Sequence, residues 1–326
     1  MNKQKLLNAV AVAAIAGAIA GTAGLSAADA RADVQISIGG GSSGGLYYIT
    51  AAGMARVIER HADGVVATAQ VSSGGAENTR LMEQGSLDCG LMTADTPYAA
   101  YNALDPFQDE QMQNIRYVTR GYSSTLQVIV NADGDVETVA DLRGKRVGLA
   151  VGQTPRVWFP PVAAAYGLEM TEITPFVLGI GELMTSMRDD NIDAAVYWGG
   201  APTGAVMDLE AGKDIRFLDI SAEAIEEVIE NEPYMIPLPL AAGVYDSVEE
   251  ETSSLGIPNV LVCRADLDDE VVYQITRALM EHNEELAEVH PLAGQFGPEN
   301  AGKSVVIPVH DGALRYYEEA GIAVEG

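Results

Sequence analysis

The sequence predicts an α/β protein with two lobes, each built on a mostly parallel sheet covered by helices. Strand-like apolar segments alternate with helical segments from residue 34 onward. The chain has 326 residues and 48% apolar content, which exceeds one typical domain and allows a sizeable core. Together these two observations favour two α/β lobes over a single small domain.

The first predicted elements form three strand-helix units. The strand "VQISI" leads through a glycine-rich turn into a helix that we expect to end near His61. "VVATAQV" is the second strand, and the short helix after it should end at Gly85. "LDCGLM" is the third strand, followed by a helix for which we predict Asp95 as the N-cap.

A second series of elements follows. "IRYVTRG" is predicted as a fourth strand and "TLQVIVN" as a separate fifth strand. A short helix, the strand in "GKRVGLAVG", the helices "PPVAAAYGL" and "LMTSMRDDN" and the strand "IDAAVYWGG" come next. Prolines in "EPYMIPLPLAAGVY" indicate a non-helical connection. The strand "NVLVCRADL", a helix over residues 269–288 and the helix "GALRYYEEAG" complete the chain.

This order predicts that the chain leaves the first lobe and later returns to it. We expect residues 33–122 and 254–326 to form lobe 1, and residues 123–253 to form lobe 2. Loops from both lobes would then face a cleft, the usual ligand site of such sheets.

Residues 1–32 have the composition of an export signal. Lys3 and Lys5 precede an alanine-rich apolar run, and "ADARA" offers cleavage sites for signal peptidase. A membrane anchor is the alternative, but three glycines interrupt the apolar run. We therefore predict a periplasmic protein. Its 19 basic and 47 acidic residues give a net charge of −28, which excludes nucleic acid and anionic membranes as partners.

The cysteines and histidines predict neither a metal site nor a cofactor site. Cys89 and Cys263 each lie in an apolar run and are expected to be buried in strands. A disulfide between them is permitted in an exported protein, but the sequence does not indicate one. The four histidines are scattered, so no metal site can be built from their spacing.

Two glycine-rich turns predict a ligand site. Gly39-x-Gly41-x-x-Gly44 fits the dinucleotide fingerprint, yet no acid follows the second strand until Glu77, and export disfavours a nicotinamide cofactor. The same turn can hold an anion, because its N–H groups and the following helix dipole favour negative charge. A similar turn at residues 72–78 would meet it at one sheet edge. No nucleophile or metalloprotease motif is present, so we predict binding and no enzyme activity.

The segments "IGGGSSGGLYYITAAGMARVI" and "SSGGAENTRLMEQGSLDCGLMTADTPYAAYNA", with "DLRGKRVGL" and "VIPVHDGALRYYEEAG" further on, resemble the TAXI-type solute receptors of tripartite ATP-independent periplasmic (TRAP) transporters. The order and spacing of these segments match over nearly all of the mature chain. The resemblance implies a type II periplasmic binding protein fold, with two α/β lobes joined by a hinge. It also implies a monomer that closes on a small solute and delivers it to the small and large, or fused, permease subunits.

The family motifs map onto particular residues of this chain. The ligand-binding residues implied by the resemblance are Gly41, Ser42, Ser43, Gly44, Tyr47 (or Tyr48), Ser73, Gly74, Glu77, Asn78, Asp95, Trp198 and Gly199. The chain departs from the family after the "GKRV" strand, where "VGQTPRVWFPP" replaces the usual Gly-Ser-Gly-Thr-Glu turn. From this departure we add Gln153, Thr154, Arg156 and Trp158 as candidates.

The ligand stays open between several hypotheses. Arg156 could clamp a carboxylate, or it could be a surface arginine paired with an acid. Trp158 and Trp198 could stack on a flat ligand, or they could be packing residues. We expect a C4–C5 dicarboxylate or an acidic amino acid such as 2-oxoglutarate or glutamate. An aromatic or larger carboxylate is the second hypothesis, and an exported enzyme or sensor partner is the third.

Overall fold

The computed structural model describes residues 33–150 and 159–325. The strands in these residues are β1 (Val34–Gly41), β2 (Val65–Val71), β3 (Cys89–Thr93), β4 (Ile115–Asn131), β5 (Arg146–Ala150), β6 (Thr174–Leu178), β7 (Ala194–Gly199), β8 (Ile215–Phe217), β9 (Ile236–Pro237) and β10 (Leu255–Arg264). The α-helices are α1 (Leu46–His61), α2 (Gly75–Glu83), α3 (Asp95–Tyr101), α4 (Pro160–Ala165), α5 (Ile180–Arg188), α6 (Gly204–Glu210), α7 (Ala222–Asn231), α8 (Asp269–Glu281), α9 (Asn283–Val289) and α10 (Asp311–Ala320).

One strand order occurs twice in the sheet. The whole sheet has the order β2-β1-β3-β10-β4-β7-β5-β6, so the two halves, each read from its outer edge, are β2-β1-β3-β10 and β6-β5-β7-β4. In the first half β1 pairs parallel with β2 and β3, and in the second half β5 pairs parallel with β6 and β7. Each parallel set ends on an antiparallel strand, β10 beside β3 and β4 beside β7. The alternation of strands and helices predicted this α/β class correctly, while the division into two lobes stays a prediction.

The strands β4 and β10 pair with each other at the centre of the sheet and join its two halves. We call them the crossing strands. The sequence predicted two separate strands where β4 is a single strand of 17 residues. That prediction was wrong because the polar stretch around Ser123 and Ser124 indicated a connection, whereas these residues continue the ladder opposite Pro258 and Ile257 of β10.

Apolar helix faces cover the sheet. One core packs α1, α8 and α10 against β1, β3 and β10, around buried residues such as Met54, Ile58 and Leu279. Another extends over the crossing strands toward α4 and α7, around Leu126, Val162 and Val228. In residues 33–150 and 159–325, no helix has the length and hydropathy needed to cross a membrane.

A disulfide links Cys89 of β3 to Cys263 of β10. The two residues face each other in the antiparallel ladder, and both side chains are fully buried. Their burial in strands was predicted correctly. The bond itself was not indicated by sequence, because only the pairing of β3 with β10 brings positions 174 residues apart into contact.

Several further elements differ from the sequence prediction, which named no element over α6, β8 and α7. Strand β6 was missed, since "TPFVL" is an exposed edge segment beside β5 without the alternation of a half-buried strand. The helix expected over residues 269–288 is interrupted at His282 and continues as α9.

Candidate functional site

A cavity of about 440 Å³ lies where β1, β2 and β3 end and the helices α1, α2 and α3 begin. The glycine-rich turn after β1 forms one wall. A side chain at Gly40 would lie 2.6 Å from the backbone of Tyr48, and Gly44 has a φ of +82°, so the tight turn requires glycine at both positions. The residue before α1 has no capping side chain, and the first turn of α1 has no acid. Leu46 and Tyr47, the first two residues of α1, line the cavity, so the positive end of this helix lies beside it without a carboxylate in the first turn.

The second turn is closed by its own acid. The Ser73 backbone N–H donates to Glu77 Oε2 at 2.5 Å, and the Gly74 N–H donates to Ser72 Oγ at 3.2 Å. Hydrogen bonds from Ser73 lower the pKa of Glu77, which stays ionised. Gly74 has a φ of +119°, which favours glycine. This helix start therefore already has a negative charge, in contrast to α1.

The third wall comes from the end of β3 and the start of α3. Thr93, Asp95 and Thr96 line the cavity. The N-cap of α3 is Ala94, and Asp95 is its first helical residue, so the predicted N-cap assignment was wrong by one position. Asp95 is only 6% exposed. A second carboxylate is thus held in a buried position on this side of the cavity.

The crossing strands and β7 form the floor. Asn259, on β10, accepts a hydrogen bond from the Tyr47 hydroxyl through Oδ1. Its Nδ2 donates to the Tyr122 carbonyl at 3.0 Å and lies 3.4 Å from Ser124 Oγ. Trp198 of β7, 3% exposed, completes the floor from the second half of the sheet.

Burial keeps the tyrosines of the site protonated. It raises the pKa of Tyr47 well above its usual value, and Tyr122 and the Asp95 carboxylate raise it further. Burial also raises the pKa of Tyr122. Both hydroxyls are therefore donors over the whole range of physiological pH.

The structure brings half of the predicted site residues to this cavity. The ones that line it are Gly41, Ser42, Tyr47, Ser73, Gly74, Glu77, Asp95 and Trp198. Four others lie elsewhere. Ser43 and Gly44 are exposed in the turn, Asn78 is fully buried, and Gly199 packs against the Tyr197 ring. The Asn78 amide donates to the carbonyls of Gly39 and Leu91 and so ties α2 to β1 and β3.

Some predictions fall outside the described residues. These are the export signal at residues 1–32 and the candidates Gln153, Thr154, Arg156 and Trp158. Among the described residues that line the cavity there is no arginine, lysine or histidine.

Sequence reasoning missed Tyr122, Ser124 and Asn259 on the crossing strands. Asn259 had a detectable signal, because it is a polar residue inside the apolar run "IPNVLVC". Tyr122 and Ser124 gave none, since they were assigned to a connection.

Distant parts of the sequence also meet in a group that could bind a metal. Ligand atoms of His61, His282 and Glu285 lie within 4.8 Å of one another. The two imidazole rings stack at 3.5 Å with an interplanar angle of 13°, so their lone pairs run side by side and do not converge. Glu285 also pairs with Arg60 at 2.8 Å. As arranged, Glu285 is shared between Arg60 and His61 at the C-terminal end of α1.

The sheet order and the cavity at the strand ends define the α/β fold of the periplasmic binding proteins, as predicted. Two solved structures show the likeness. XAC2383 from Xanthomonas citri, bound to ATP, matches with a TM-score of 0.52 and 11% identity, over 88% of this chain and 96% of that chain. The periplasmic sulfonate-binding protein SsuA from Methylobacillus flagellatus KT matches with a TM-score of 0.50 and 11% identity, over 90% and 89%.

At such identities the likeness extends to the fold alone. The chain belongs to the NMT1-like family, which matches residues 38–321.

Proposed function

We propose that the protein is the periplasmic solute receptor of a transporter and that it binds a small amino acid or related organic anion without turning it over. The observation that carries the proposal is the convergence of three helix starts and two crossing strands on one cavity of about 440 Å³. A cavity of this size at the carboxyl ends of parallel strands is the usual ligand site of such sheets. Closure around the solute would follow from contacts to both halves.

The charges around the cavity favour a zwitterion over a dicarboxylate. The start of α1 offers uncapped N–H groups, which suit a carboxylate. Glu77 and Asp95 lie at the starts of α2 and α3, where their negative charges suit an ammonium group. An acidic amino acid such as glutamate has both a carboxylate for the start of α1 and an ammonium group for the two acids. 2-Oxoglutarate has the carboxylate but no ammonium group. Arg156 stays the candidate partner for a second carboxylate.

An aromatic acid is a second candidate. Tyr47, Tyr122 and Trp198 all line the cavity, and aromatic rings can stack on flat ligands. An exported enzyme or a sensor partner is a third possibility, and product formation from a bound ligand would establish the enzyme.

A ligand panel separates these candidates. We expect glutamate to raise the melting temperature and to bind by calorimetry with a 1:1 stoichiometry. A response to aromatic acids alone would contradict glutamate and support the second candidate, an aromatic acid. A response to alkanesulfonates alone would contradict the amino-acid assignment. Mass spectrometry of the ligand after incubation checks for turnover, and unchanged ligand is the expected result.

A charge-neutral variant tests the ammonium partner. Glu77→Gln should weaken glutamate at least tenfold, because it removes a charge pair at the site, and should leave 2-oxoglutarate unchanged or tighter. Glu59→Gln is the matched control, because Glu59 is an exposed residue of α1 outside the cavity lining. Equal effects of the two variants on glutamate would contradict the assignment.

For the membrane partner we propose a TRAP-type permease, in line with the motifs that resemble TAXI receptors. The solved SsuA structure is named for an ABC transporter, which makes ATP-driven uptake the alternative. Uptake into proteoliposomes containing the permease should depend on an ion gradient. Uptake that requires internal ATP would refute the TRAP assignment and leave the solute-receptor role intact.

A further inference from the structure

A second cavity, of about 310 Å³, lies on the opposite face of the crossing strands. Tyr122 and Ser124 of β4 line the first cavity, whereas Gly121, Ser123 and Thr125 line the second. Side chains alternate between the two faces of a strand, so the cavities are separated by the sheet. We call this second space the rear cavity.

The rear cavity has walls from both halves of the sheet. Leu292 and Gln295 come from the C-terminal segment, and Gly200, Leu238 and Leu240 come from the segments after β7 and β9. A molecule bound there would therefore contact both halves of the protein.

A bulge in β4 turns Arg120 toward this face. Pro258 pairs with Ser123 and Val260 pairs with Arg120, so two residues of β4 oppose the single residue Asn259 of β10. The extra residue reverses the alternation. Arg120 and Ser123 would otherwise point to opposite faces, but Arg120 Nη2 donates to Ser123 Oγ at 3.0 Å, and both line the rear cavity.

Arg120 is a buried cation whose described partners are neutral. It is 8% exposed, and no other arginine or lysine among the described residues is buried. Nη1 donates to Ser304 Oγ at 2.7 Å, Nη2 donates to Ser123, and Nε has no hydrogen-bond partner within residues 33–150 and 159–325. No described carboxylate forms an ion pair with it, although the chain has 47 acids for 19 basic residues.

Ser304, which accepts a hydrogen bond from Arg120, also has an unusual backbone conformation. Ser304 has a φ of +52°, a conformation that non-glycine residues rarely adopt. Burial lowers the pKa of Arg120, but a guanidinium stays charged in proteins. A buried charge without a counter-charge is strongly unfavourable, so an anion in the rear cavity would be stabilised there.

We propose that the rear cavity is a second binding site, for a small carboxylate with a short apolar chain. Arg120 and the Ser123 and Thr125 hydroxyls would bind the carboxylate, and Leu238 and Leu240 would contact the chain. A volume of about 310 Å³ is far larger than a halide ion needs, since one water occupies about 30 Å³. The site is distinct from the solute cavity and does not depend on the solute proposed above.

Calorimetry on the mature protein with acetate, butyrate and hexanoate tests the proposal, with sodium chloride at equal ionic strength as the reference. Affinity should increase along the series. Ser123→Ala should weaken hexanoate several-fold, while Ser124→Ala, the neighbour on the opposite face, should not. Arg120→Gln should abolish the hexanoate response. A purely structural arginine would lower the melting temperature equally with and without hexanoate.

Two results would overturn the proposal. One is an equal response to chloride and to every carboxylate. The other is a hexanoate response that Ser124→Ala reduces as much as Ser123→Ala, because binding would then occur in the solute cavity. The serine pair keeps the test valid if Arg120→Gln does not fold. A failure of glutamate to bind leaves this result unaffected.

Discussion

Breaking the disulfide between Cys89 and Cys263 should destabilise the protein by several kilocalories per mole. The bond closes a loop between positions 174 residues apart. For a loop of this length the chain-entropy relation gives roughly 17 cal/mol/K, or about 5 kcal/mol at room temperature. Measured effects often fall below this relation, so we expect about 2–5 kcal/mol.

Urea unfolding of the oxidised and the reduced protein measures the effect. Reduction leaves both side chains in place, so it separates the crosslink from packing. The variant in which Cys89→Ala and Cys263→Ala are combined is the control, and reductant should not move its midpoint. Equal midpoints for the oxidised and reduced wild type would refute the reasoning. Detection of two free thiols in the unreduced, unfolded protein would also refute it, because the disulfide would then be absent.

Two further predictions concern stability. Burial lowers the pKa of His310, whose Nδ1 accepts the Gly312 N–H at the start of α10. As the pH falls below about 6.5, the histidine is protonated in the unfolded chain before it is protonated in the folded chain. The stabilisation that comes from neutral His310 is therefore complete above that pH and is lost below it. His310→Asn, which keeps a capping side chain, should reduce the fall in urea midpoint between neutral and mildly acidic pH, and an unchanged fall would contradict this. Gly121→Ala should cost about 1–3 kcal/mol, because its Cβ would lie 2.3 Å from the Phe296 ring. Gly181→Ala in α5 is the control and should be neutral or stabilising, because no atom of the described residues lies within 4 Å of the added Cβ.

Most elements of the first half of the sheet could be predicted from the sequence, because their patterns are encoded by neighbouring residues. β2 has the bounds of the predicted segment, and the helix from the first glycine turn ends at His61 as expected. The two turns meet at one cavity because parallel strands present their carboxyl ends to the same edge.

What the sequence did not predict depends on partners far along the chain. The disulfide, the Asn259 hydrogen bonds and the group around His61 all join distant segments. The bulge that turns Arg120 toward Ser123 exists only because β10 pairs with β4. Polar residues in apolar strands were the available signal for such sites, and only Asn259 gave it clearly.

The position of β10 also determines when the protein can finish folding. β10 is the last strand of the described chain, yet it fills the centre of the sheet between β3 and β4. The two halves therefore cannot be joined during synthesis until β10 has emerged, and contacts between such distant segments form slowly. Cys263 arrives with the same strand, so Cys89 has no partner until then. A chain of this design completes its central sheet and its disulfide only after β10 is available.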